Sequence, residues 1–161
     1  LFPYTTLFRS GVDKLIDAYR NSLKEYTLYG PTYYAPIIKK CVSAIKNAPP
    51  NLYTILLLLT DGIFNDMQET IDAIVDGSFL AISIIIVGIG DADFRDMIIL
   101  DADETPLISS DGIKMHRDIV QFVPYNKYEG ISKSELSMAV LEELPIQVLE
   151  WAQMVDFKIT A

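Results

Sequence analysis

Two residues of this 161-residue chain combine a donor side chain with a setting that suits ligand chemistry: Thr32 and Asp61. Asp61 follows the most apolar run of the sequence, and Thr32 stands in a turn ahead of a helical segment. A hydroxyl and a carboxylate beside helix starts are hard oxygen donors, suited to Mg²⁺ or Mn²⁺ and poorly suited to zinc. In open α/β sheets ligands gather beyond the C-terminal ends of the strands, where Asp61 would lie and which Thr32 could reach. On its own an Asp-Gly after a strand is most often a plain turn. The pair therefore gains meaning only from the elements that position it.

Those elements are legible from periodicity. Val12, Leu15, Ile16, Tyr19 and Leu23 form one apolar face of a helix, broken by Tyr29-Gly30-Pro31-Thr32. Ile37, Ile38, Cys41, Val42 and Ile45 give a second stripe, stopped by Pro49-Pro50. Residues 52–59 show no alternation, which predicts a strand buried on both faces of a parallel sheet. A helix is expected over residues 66–78 with Met67, Ile71, Ile74 and Val75 inward, then a second apolar strand over 81–87. A short helix over 92–100 and a third strand over 119–124 follow. Ser132 is a candidate N-cap for a helix reaching about Leu144, restarted or kinked at Pro145 and continuing through Trp151. Trp151 and Phe157 are expected to cover the sheet.

This alternation predicts a doubly wound, mostly parallel α/β sheet with right-handed crossovers. Three strands are few for such a sheet. Residues 52–59 are too apolar for an edge facing water, so a further strand is expected beside them, supplied by sequence upstream of Gly11.

Composition removes several functions. The charge is −9, from 13 basic and 22 acidic residues, which disfavours nucleic acid and anionic membranes as partners of the surface as a whole. One cysteine, Cys41, excludes a disulfide framework and any multi-cysteine zinc site, and fits a reducing, intracellular setting. The apolar runs are strand-length, far below the roughly 20 residues of a membrane span. No signal-peptide pattern opens the chain.

The other motifs have plain structural readings. Gly88 and Gly90 lack the third glycine of a dinucleotide fingerprint and read as strand-end glycines. The run from Asp101 to Pro106 has proline where a calcium loop needs glycine, leaving a solvated acidic loop. His116 reads as exposed, Cys41 as core, and Ser109-Ser110-Asp111-Gly112 as a turn. Tyr33-Tyr34 can either flank a binding surface or pack beneath the Thr32 loop.

Residues 1–10, LFPYTTLFRS, carry no helical or strand period. They match, codon by codon, the translation of a common sequencing adapter, CTC TTT CCC TAC ACG ACG CTC TTC CGA TCT. They are set aside as an artefact, leaving residues 11–161 as one partial domain.

A longer pattern is more specific. The blocks Ala18–Leu23, Leu28-Tyr29-Gly30-Pro31-Thr32, Ala35-Pro36-Ile37-Ile38, Leu59-Thr60-Asp61-Gly62 and Ser83–Gly90 occur in order. Asp93-Phe94, Ile108-Ser109-Ser110 and Arg117–Pro124 follow. Together they closely resemble the von Willebrand A-type domain of the copines, over essentially residues 11–157. The resemblance implies a metal-ion-dependent adhesion site built from an Asp-x-Ser-x-Ser loop, a later threonine and a later aspartate. Thr32 and Asp61 match the last two. No Asp-x-Ser-x-Ser triplet exists in the chain, which is what an N-terminal truncation predicts and which leaves the donor set incomplete.

The function so implied is a divalent-metal-dependent protein-binding module, not an enzyme. Its partners would be intracellular proteins that offer a carboxylate to the ion. The family's paired C2 domains, which bind Ca²⁺ and phospholipid, are absent here. Calcium-dependent recruitment from the cytoplasm to the plasma membrane is therefore implied for the parent protein. The alternatives are a metal-dependent phosphoryl-transfer or hydrolytic enzyme using Asp61, and the copine-like domain of a RING ubiquitin ligase. The sequence has no phosphate loop, no His-Glu-x-x-His and no nucleophile–base pair, and one cysteine cannot build a RING.

Overall fold

The computed structural model describes residues 11–27 and 29–157. The segment at residues 1–10 lies outside them. The chain divides into two units, Leu1–Pro31 and Thr32–Ala161.

In the first unit, helix α1 spans Gly11–Glu25. Its stripe of Val12, Leu15, Ile16, Tyr19 and Leu23 keeps the expected spacing, yet these side chains are 41–71% exposed. No residue of the helix is buried.

The second unit holds the sheet. Strands β1 (Thr54–Thr60), β2 (Ile82–Gly88) and β3 (Val120–Pro124) are parallel, in the order β1-β2-β3. Helix α2 (Ala35–Lys46) leads into β1, α3 (Met67–Gly77) joins β1 to β2, and α4 (Arg95–Asp101) lies between β2 and β3. A 3₁₀ turn, Tyr125–Tyr128, precedes α5 (Lys133–Leu141) and α6 (Leu144–Met154). Ser132 caps α5 by accepting the Ser134 amide, and Pro145 falls in the first turn of α6, where a missing N–H costs nothing.

Register assigns the faces. Leu56 and Leu58 of β1, Ile82, Ile84 and Ile86 of β2, and Val120 and Phe122 of β3 share one face. Ile38 and Val42 of α2, Ile74 of α3, and Met97 and Leu100 of α4 join them in the main core. Cys41 packs half-buried against this core, whereas Ile37, expected inward, is 49% exposed. On the other face Ser83, Ile85, Val87 and Val123 are buried, and α6 sets Trp151 and Ala152 against Tyr53 and Ala81. Trp151 covers the sheet as expected, and Phe157, 39% exposed, packs on the Trp151 ring with centroids 5.3 Å apart.

Strand β1 departs from expectation on one point. Both of its faces were expected to be buried, yet Ile55, Leu57 and Leu59 are 47%, 53% and 64% exposed. Among the described residues β1 pairs with β2 alone, and its other side is the flank where a further strand was expected from sequence upstream of Gly11. The physical reason for the exposure is that on this face α6 lies on β2, with Trp151 and Ala152 against Ala81. An apolar run reports no alternation whether or not a layer covers its second face.

The opposite edge is covered. The outward amide of Val120 donates to Asp118 Oδ1 at 3.0 Å, its carbonyl accepts from Gln147 Nε2 at 3.4 Å, and the Phe122 amide donates to Asp101 Oδ1. Side chains thus occupy the hydrogen-bonding positions that another strand would use.

Candidate functional site

Strand β1 ends at Thr60, which pairs with Gly88 of β2 and accepts the Ile89 amide at 2.7 Å. The chain then turns through Asp61 and Gly62. Gly62 has φ +135°, and a Cβ there would lie 2.5 Å from the Ala92 Cβ, so only glycine fits this turn. Its amide donates to Thr60 Oγ1 at 3.2 Å, fixing the loop just beyond the Asp61 carboxylate. Gly88 is also structural, as expected, because a Cβ would meet the Phe94 ring at 2.7 Å.

The Thr32 loop is tied to the loop after Asp61. The Thr32 amide donates to Asn65 Oδ1 at 3.2 Å, and its carbonyl accepts the Asn65 amide at 2.9 Å. The Tyr34 amide donates to Asp66 Oδ1 at 3.0 Å and the Ala35 amide to Asp66 Oδ2 at 2.8 Å. The Tyr34 ring stacks on Phe64, and its hydroxyl forms a hydrogen bond with that of Thr60. Burial pushes the Tyr34 phenol above its ordinary value, so it stays protonated as a neutral link. Of the two readings of Tyr33-Tyr34, Tyr34 packs beneath the loop while Tyr33 is 50% exposed.

These contacts bring the loops carrying Thr32 and Asp61 to one sheet edge. Both residues are exposed. Among the described residues, neither the Thr32 hydroxyl nor the Asp61 carboxylate has a hydrogen bond or salt bridge, whereas Thr60, Asn65 and Asp66 are engaged. Two free hard-oxygen donors fit Mg²⁺ or Mn²⁺ as part of a coordination shell. Sequence reasoning missed Asn65 and Asp66. Asp66 looked like the start of the helix over 66–78. It does occupy the N-cap position of α3, but its carboxylate makes no bond to that helix.

A second acidic group has no counterpart in sequence spacing. Asp103, Asp118 and Glu143 each place a carboxylate oxygen within 4.8 Å of the others. Burial, reinforced by the charges of Asp118 and Asp103, pushes Glu143 up to about 7. Burial also raises Asp118 to about 6 and the neighbouring Asp101 to about 7, against the amides that they accept. Residues 101–106 are thus not uniformly solvated: Asp101 is bonded into the β3 edge.

Beside this group, Arg117 is 7% exposed. Its guanidinium donates to the carbonyls of Leu80 at 2.5 Å and Ile82 at 2.8 Å, and lies 6.0 Å from the Tyr53 ring centre. The Ser109–Gly112 turn forms as expected and docks on α3, the Ser110 amide and hydroxyl donating to Asp72. His116 is exposed and stacks on Phe79.

No helix among the described residues is long and apolar enough to cross a membrane. The family model described as Copine matches residues 5–160.

Proposed function

The chain belongs to the copine family, and from that premise we propose that its face at the end of β1 is a divalent-metal-dependent protein-binding surface. Thr32 and Asp61 supply two oxygens to Mg²⁺ or Mn²⁺, and a carboxylate of an intracellular partner protein supplies another. The observation that carries this reading is selective availability. In two loops joined by hydrogen bonds, the Thr32 hydroxyl and the Asp61 carboxylate have no hydrogen bond or salt bridge among the described residues, whereas Thr60, Asn65 and Asp66 are engaged. An enzymatic role for Asp61 is less well supported, because the neighbouring Asn65 and Asp66 side chains and the Thr60 hydroxyl accept backbone amides.

Calcium-dependent phospholipid binding, and recruitment from the cytoplasm to the plasma membrane, belong in this reading to C2 domains of the parent protein. The test is a Mn²⁺ titration of the chain and of Asp61→Ala, followed by electron paramagnetic resonance. Loss of bound Mn²⁺ in Asp61→Ala is expected; equal binding by both proteins would sink the metal-site reading.

A further inference from the structure

Helix α2 starts at a residue poorly suited to start one. Its N-cap is Tyr34, whose side chain makes no capping bond. A helix start leaves several amides without partners, and here each can be accounted for. The Ile37 and Ile38 amides reach the Tyr34 carbonyl at 3.1 Å, and Pro36 has no amide hydrogen. The Tyr34 and Ala35 amides remain, and both go to the carboxylate of Asp66. Asp66 is 7% exposed and has no salt-bridge partner among the described residues. Two amide bonds hold its carboxylate at the N-terminal end of α2. It stands at the N-cap of one helix and caps another.

We propose that Asp66 is a positioning residue for the Thr32–Asp61 site, holding Thr32 in reach of a shared ion without touching that ion. The inference rests on the metal-site reading above. Each Asp66 oxygen accepts an amide at the start of α2 and the residue is 7% exposed, so its carboxylate is committed to the backbone while Thr32 and Asp61 are exposed. Residues 32–35 are fastened to residues 65–66 at four backbone points, two of them through Asp66 and two through Asn65. Without the carboxylate, the start of α2 loses its cap and Thr32 keeps only the Asn65 pair. The Thr32 hydroxyl is then no longer held at the sheet edge, whereas Asp61 stays fixed by the Gly62 turn.

The experiment is a double-mutant cycle on the full chain, Thr32→Ala against Asp66→Ala, with Mn²⁺ affinity as one readout and amide hydrogen exchange at Thr32 as the other. Asp66→Ala is expected to lower Mn²⁺ affinity about 10- to 100-fold, the range seen when groups supporting metal ligands are removed. In the Thr32→Ala background the same change is expected to cost far less, because its route to the ion is gone. Asp66→Asn, which keeps one acceptor oxygen, is expected to fall between, and it provides a folded variant if Asp66→Ala does not fold. Additive losses would overturn the proposal, as would unchanged exchange protection at the Thr32 amide in Asp66→Asn. No Mn²⁺ binding by the unsubstituted chain, together with faster exchange at Thr32 in the variants, would instead refute the metal site and leave Asp66 as the clamp of this loop.

Discussion

The rings of Tyr34 and Phe64 stack with centroids 4.5 Å apart and planes 12° apart, which places an aromatic pair directly under the two loops of the site. Both rings are about 5% exposed. The pair has two separable roles, packing from the rings and a polar link from the Tyr34 hydroxyl to Thr60.

Tyr34→Phe should therefore cost about 1 kcal/mol, the usual loss for one hydrogen bond, with the ring stack intact. Phe64→Ala should cost about 3–5 kcal/mol, as for other buried aromatic truncations. Urea denaturation of the two variants checks the ranking. Equal losses would mean that the hydroxyl link matters as much as the stack.

Arg117 supports a larger loss. Its guanidinium joins the segment before β2, the start of β2 and the Tyr53 ring, so its removal strands buried carbonyls. Arg117→Met should destabilise the chain by at least about 3 kcal/mol, and Arg117→Lys should recover only part, since an ammonium lacks the planar fork. Chemical denaturation midpoints of the two variants decide this.

The acidic group sets a pH dependence of definite sign. Asp101, Asp118 and Glu143 are raised from 3.8, 3.8 and 4.5 to about 7, 6 and 7. The folded chain thus holds protons that the unfolded chain releases, so stability should rise as pH falls from above 7 towards 4.5. Their proton equilibria are shared with the charges of Asp103, Glu142 and Glu150, so one broad transition is expected, not three. Asp72 and Asp93 are lowered, by hydrogen bonds from Ser110 and Arg95, and their contribution is present above 3.8 and lost in stronger acid. Melting temperature against pH should peak on the acid side of neutrality, and Glu143→Gln should flatten its neutral limb. A stability maximum at pH 8 in the unsubstituted chain would contradict this.

The two faces of the sheet should respond oppositely to truncation. Ile86 is fully buried, and Ile86→Ala should cost about 2–5 kcal/mol. Leu57 is 53% exposed, and Leu57→Thr should change stability by no more than about 0.5 kcal/mol while raising solubility. Denaturant midpoints and light scattering report the two effects.

The sequence made the strands and most helices legible because burial imprints a local period. The continuous apolar run at β2 corresponds to a strand with every residue buried, and the Ser132 cap is a signal contained within three residues. Thr32 and Asp61 were singled out through their turns and the blocks around them, and both lie exposed in the loops at the end of β1. What lay hidden depends on distance along the chain. Asp66 reaches Ala35 across 31 positions, and the Asp103, Asp118 and Glu143 group draws on three separate segments. The same limit explains β1: leucines at 56 and 57 are chemically identical, and only the placement of helices distinguishes the covered one from the bare one.

The coverage of the β3 edge by Asp101, Asp118 and Gln147 gives the sheet a polarity of growth. One border is terminated by side chains, while among the described residues the other pairs with no strand, so strand addition is directed to the β1 side. Alternation along β1 also fixes what such an addition would meet: backbone groups of residues 55, 57 and 59, with isoleucine and leucine side chains standing to one face.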